Sequence, residues 1–131
     1  MSAVLVDSNV ILDVLTLDPE WSDWASHALA DANRLVIDPV IYAEVSIRFS
    51  HMEELDAVLP PDRFNREEIP YQAAFLAGKA FLRYRRRRGL RLTPLPDFFI
   101  GAHAAIAGYR LLTRDPGRFR FYFPRLRLIS P

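Results

Sequence analysis

The run Ala3-Val4-Leu5-Val6 is wholly apolar and stops abruptly at Asp7-Ser8-Asn9. A strand without polar alternation is one covered on both faces, as a parallel strand is inside an α/β fold. The polar triplet has the residue types that cap helices, and Val10–Leu15 supplies the helix. The same order recurs at Leu35–Ile37, a second apolar strand, where Asp38-Pro39 opens a helix over Val40–Phe49. Between them, Pro19 is placed to start a helix carrying Trp21, Trp24, Ala25, Ala28 and Leu29. Met52–Leu59 reads as a short helix stopped by Pro60-Pro61, and residues 63–69 are ambiguous, an edge strand being the candidate. After Pro70 a long helix carries Ala73, Ala77, Phe81 and Tyr84 into Arg85–Arg88 and Gly89, a favourable helix C-terminus. Asp97–Tyr109 is a further helix, broken by Gly108, and Leu111–Thr113 and Leu126–Ile129 are strands four and five. Strands alternating with helices predict the α/β class with parallel pairing.

At 131 residues the chain makes one domain, 1–131, large enough to bury about two thirds of its unfolded surface. The absence of cysteine excludes disulfides, thiolate metal sites and cysteine nucleophiles. No apolar window reaches the length of a membrane span, so no membrane association is expected. Met-Ser-Ala-Val-Leu-Val runs into Asp7 too soon for a secretory signal, and the expected location is cytoplasmic.

Charge is segregated. Residues 1–62 hold twelve acids against Arg34 and Arg48, while residues 63–131 hold fifteen basic side chains against Glu67, Glu68, Asp97 and Asp115. All the basic residues but Lys79 are arginine, whose planar fork suits phosphate. The pattern points to a polyanion or an oppositely charged protein as partner, or to two halves that face each other across one fold.

Four acids stand where an ordinary surface role fits poorly. Asp7 ends a buried strand at its carboxyl end, the edge where open α/β sheets bind ligands, although capping alone also explains it. Glu44 shares a helical face with Val40, Ile41 and Ile47, and a carboxylate there needs an arginine or a metal ion. Asp97 opens a helix after Pro96, and Asp115 follows a strand and precedes Pro116-Gly117, a good turn. Each is ambiguous alone. Together they predict carboxylates crowded at one sheet edge, whose repulsion a divalent cation relieves. Oxygen-only donors select Mg2+ or Mn2+ over zinc. Such an ion activates water and shields phosphate, so the chemistry inferred is phosphodiester hydrolysis.

At these residues the sequence resembles PIN-domain ribonucleases of the VapC toxin type, from prokaryotic toxin–antitoxin pairs. The resembling pieces are Val4-Leu5-Val6-Asp7-Ser8-Asn9, Tyr42-Ala43-Glu44-Val45, Leu95 to Ala104, Leu111-Leu112-Thr113-Arg114-Asp115 and the tail from Phe121 to Ile129. The resemblance implies a three-layer α/β/α sandwich around a mainly parallel sheet of about five strands. It also implies a Mg2+- or Mn2+-dependent endoribonuclease, a homodimer, and a cognate antitoxin that blocks the site. Asp7, Glu44, Asp97 and Asp115 match the family's acidic positions, and Asn9 and Thr113 match supporting polar ones.

The remaining residues carry weaker readings. Arg85, Arg86, Arg87 and Arg88, with Arg83 and Arg91 nearby, suit RNA phosphates, an acidic antitoxin segment, or a solvated helix end. His103 is open as a general base but reads rather as a partly buried structural histidine; Asp38 and Asp13 are outside candidates for the site that read rather as a helix cap and as solvent-exposed. Trp21, Trp24, Phe49, Phe75 and Phe81 read mostly as core, with some able to line a dimer or antitoxin groove. The alternative function is a noncatalytic RNA- or protein-binding module on the same fold. An aspartyl phosphatase with Asp7 as nucleophile is disfavoured, because Asn9 stands where that chemistry wants a second aspartate.

Overall fold

The computed structural model describes residues 3–88 and 95–131. Gly89 and Arg91 lie outside the described residues, as does the side chain of Arg88. The strands are β1 (Val4–Val6), β2 (Leu35–Ile37), β3 (Phe64–Arg66), β4 (Arg110–Leu112) and β5 (Leu128–Ile129). The helices are α1 (Ser8–Leu15), α2 (Ser22–Asp31), α3 (Pro39–Ser46), α4 (Met52–Val58), α5 (Tyr71–Arg88), α6 (Leu95–Ala107) and α7 (Gly117–Tyr122). All five strands pair in parallel, in the order β3-β2-β1-β4-β5, as the PIN-like sandwich requires. The order reverses between β1 and β4, and a crevice opens at such a reversal, outside the carboxyl ends of the strands.

The central strands are apolar because both faces are covered. Every residue of β1 and β2 is buried, and Val4 registers with Leu35 on one side and Arg110 on the other. The segment 63–69 does contain an edge strand, β3, whose burial fades from Phe64 to Arg66. Among the described residues no helix is long and apolar enough to cross a membrane.

Several boundaries differ from the sequence reading. The helix expected from Pro19 starts at Ser22, because residues 19–21 form a turn after Asp18, whose carboxylate accepts from the Glu20 and Trp21 amides. α3 ends at Ser46 rather than Phe49, which leaves Ile47 84% exposed instead of on the buried face with Ile41 and Val45. Phe75 is likewise 69% exposed, while Trp21, Trp24, Phe49 and Phe81 are only partly buried. α6 begins at Leu95, so Asp97 lies inside its first turn rather than opening the helix.

Helix α7 was not expected. It is held by Phe119 and Tyr122, both buried, and by Phe123 beyond its end. Tyr122 meets Phe98 edge-on with ring centroids 5.1 Å apart. Gly101 of α6 makes the approach possible: a Cβ there would lie 2.5 Å from the Phe123 ring and 3.0 Å from that of Phe119. The last turn of α5 closes on the same helix, with the Arg87 guanidinium 4.5 Å over the Phe121 ring and Arg83 5.6 Å over Tyr122.

Candidate active site

Asp7 caps α1 from the end of β1. Its Oδ1 accepts from the Ser8 amide at 2.8 Å and its Oδ2 from the Thr113 hydroxyl at 2.8 Å. Thr113 reaches it because β4 lies beside β1, an arrangement continued by the Asp7 amide donating to the Leu112 carbonyl. The Thr113 oxygen in turn accepts from the Asp115 amide at 3.1 Å. Asn9 completes the link, accepting from the Arg114 amide and donating to Asp115 Oδ2 at 3.3 Å. Asn9 and Thr113 therefore tie the end of β1 to the loop after β4.

Arg114 fastens that loop from the other side. Its Nε and Nη2 donate to Asp13 at 2.7 and 3.2 Å. Asp13 is buried by this fork, contrary to the expectation that it faces solvent.

Glu44 projects from α3 at the edge of the buried stripe. Its Oε1 accepts from the Ser8 hydroxyl at 2.7 Å. No arginine pairs with it among the described residues, so the ordinary explanation of a buried-face glutamate does not apply. Asp97, in the first turn of α6, is ion-paired with Arg118 of α7. Ser8 and Arg118 are contacts that the sequence reading missed. Ser8 carried a local signal, since its amide and hydroxyl flank the strand-ending acid; Arg118 carried none.

The electrostatics follow from burial and crowding. Burial pushes the Asp7 carboxyl up to about 7, against its Thr113 and Ser8 hydrogen bonds and with added repulsion from Asp97 and Glu44. Burial also raises Glu44, opposed by Ser8 and reinforced by the charges of Asp97 and Asp38. Asp97 is raised by burial and by Asp115, with Arg118 pulling the other way. The charges of Asp97 and Glu44 thus act on Asp7, those of Asp97 and Asp38 on Glu44, and that of Asp115 on Asp97.

Among the described residues no group of three or more histidine, aspartate or glutamate side chains is spaced to hold a metal ion. Ser8, Thr113, Asn9 and Arg118 hold the acids instead. In donor chemistry, though not in spacing, the acids suit Mg2+ or Mn2+: they are all oxygen and partly buried, with Arg118 paired to Asp97 and the charge of Arg114 acting on Asp115. Two other polar residues resolve as structure. Asp38 caps α3 through the Ile41 amide, and His103 is fully buried with Nδ1 donating to Asp38 Oδ2 at 2.9 Å.

Residues 4–123 match the PIN domain. The chain belongs to the PIN-domain family. Its fold is also that of several solved chains. VapBC-1 from nontypeable Haemophilus influenzae aligns with a TM-score of 0.72 at 20% identity, covering 98% of this chain and 97% of that one. VapBC2 of Rickettsia felis, bound to a DNA fragment from its promoter, gives 0.71 at 19% identity, with 98% of both chains covered. VapC20 of Mycobacterium tuberculosis, a sarcin–ricin loop cleaving toxin, gives 0.57 at 16% identity, covering 82% of this PIN chain and 85% of its own. A search of curated proteins found no significant match.

Proposed function

We propose that this PIN-domain protein is a metal-dependent endoribonuclease and the toxin of a toxin–antitoxin pair. The observation that carries the reading is the set of mutually repelling acids beside the sheet reversal, of which Asp7 and Glu44 have no arginine partner among the described residues. Asp7, Glu44, Asp97 and Asp115 would hold one or two Mg2+ or Mn2+ ions. When bound, the cation supplies positive charge against the acids and against the phosphodiester as water attacks it. The chain's own residues set the stage. Ser8 and Thr113 fix the orientation of Asp7, Ser8 also positions Glu44, and Asn9 holds Asp115 on the loop after β4.

RNA is the substrate, and Arg85, Arg86, Arg87 and Arg88 contribute to its binding. Arg85, Arg86 and Arg87 are exposed at the end of α5, beside α7, which joins directly to Asp115 through Pro116. Phosphate contacts of this kind weaken as salt rises. The likeness to chains from VapBC complexes supports an antitoxin as the natural partner. Homodimerisation and a cytoplasmic location belong to the same proposal.

The test is cleavage of a panel of structured and single-stranded RNAs by purified protein. Cleavage is expected with Mg2+ or Mn2+, is abolished by EDTA, and is lost in Asp97→Asn. Wild-type rates in that variant overturn the assignment. RNA binding that ignores metal, with no cleavage across the panel, replaces the nuclease with a binding module.

A further inference from the structure

Arg118 is the one cation paired with the acidic group among the described residues, and its placement is built rather than incidental. It sits three positions after Asp115, on a short helix pinned by Phe119 and by Phe123 against Gly101. Gly101 is one turn beyond Asp97 on α6. The glycine contact therefore sets the spacing of the two helices at the height where Arg118 meets Asp97. The backbone of Arg118 is fixed, whereas its side chain is 38% exposed and free to choose among partners.

Those partners change as the site fills. Without a cation, Asp97 is a partly buried carboxylate repelled by Asp115, and the guanidinium is the neutralising charge within reach. A divalent ion on the same carboxylate takes over that neutralisation and repels the guanidinium at close range. An arginine released there stands at the rim of a site that takes phosphate, the anion its fork fits best.

Resting on the nuclease reading, we infer that Arg118 is a positioning residue with two successive partners: it holds Asp97 in the metal-free protein and, once a divalent ion claims Asp97, turns to a phosphate of the RNA. The first part predicts competition between Arg118 and metal. The second predicts a contribution to RNA affinity rather than to the chemical step.

The experiment uses the full chain and Mn2+ alone, titrated by calorimetry without RNA. Arg118→Gln is expected to bind Mn2+ about two- to fivefold more tightly than wild type, the range for losing a part-exposed ion pair. Arg118→Lys keeps the charge without the fork and falls between the two. Arg120→Gln removes an equal charge from the same helix without touching Asp97, and is expected to leave Mn2+ affinity unchanged. In RNA cleavage at saturating Mn2+, Arg118→Gln is expected to raise KM severalfold and leave kcat within about twofold. Equal Mn2+ affinity in Arg118→Gln and wild type, or an equal gain in Arg120→Gln, overturns the competition. An unchanged KM overturns the phosphate contact. If wild type and all variants fail to bind Mn2+, the nuclease reading falls and this inference with it.

Discussion

Asp7 and Asp38 occupy equivalent places on neighbouring strands. Each ends a buried parallel strand, each caps the helix that follows, and each is nearly inaccessible, at 4% and 2% exposure. They differ in what meets the second carboxylate oxygen. For Asp38 it is the imidazole of His103, whose other nitrogen lies 3.6 Å from Glu67; Glu67 in turn accepts from Arg34 and Tyr109. For Asp7 it is a neutral hydroxyl, and the nearest charges are further acids. Asp38 is given a donor for each of its two carboxylate oxygens, a backbone amide and an imidazole, and becomes structure. Asp7 is given a backbone amide, one hydroxyl and the repulsion of Asp97 and Glu44, so its site is left short of positive charge. On the proposed function, that shortage is what separates a supporting carboxylate from one that takes a cation.

The contrast is sharpest in paired variants. Asp7→Asn is expected to lower RNA cleavage more than about a hundredfold, since even outer partners of metal ligands cost 10–100-fold. The same change should raise the melting temperature at pH 8, because asparagine still caps α1 and a crowded charge is gone. Asp38→Ala should do the reverse in kind. It removes a cap and leaves a buried imidazole donor unmatched, destabilising the fold by about 2–4 kcal/mol in urea titrations. If Asp7→Asn proved the more destabilising of the two, the contrast between them would be wrong.

Ser8→Ala tests the hydroxyl side of the comparison. Loss of the Glu44 contact should cost about tenfold in cleavage or in Mn2+ affinity, with a stability loss below about 1.5 kcal/mol. The comparison also bears on the pH dependence of the metal-free protein. Folded Asp7 keeps its proton up to about 7, whereas an unfolded aspartate releases it near 3.8. Between those values the folded chain binds the extra proton, so this group makes stability fall as pH rises. Glu44 and Asp97 are shifted in the same direction and add to the slope. Urea unfolding across that window should show a steeper decline for wild type than for Asp7→Asn, and saturating Mg2+ should flatten the wild-type curve. Parallel curves would mean that Asp7 is not carrying the strain assigned to it.

What could be read from the amino-acid order was whatever local pattern decides. β1 and β2 were legible because a strand covered on both faces is apolar without alternation, and the acids at their ends mark the carboxyl edge. The end of α3 was not legible, because Ile47 continues the helical period after the helix has stopped at Ser46. α7 was hidden by its alternating Arg and Phe, a strand-like pattern, and owes its helix to packing against Gly101 and Phe98. Asp13 looked solvated because its fork partner, Arg114, lies 101 positions away. Arg118 escaped notice for a similar reason: its partner is set by how two helices approach, which no short stretch of chain records.

The insertion of β4 beside β1 has a temporal consequence. The hydroxyl that orients Asp7 belongs to Thr113, 106 residues later in the chain and just past β4. Until that stretch has left the ribosome, Asp7 lacks the neighbour that holds its second carboxylate oxygen in place. If the protein cuts RNA as proposed, cutting waits until β4 has been made and laid beside β1.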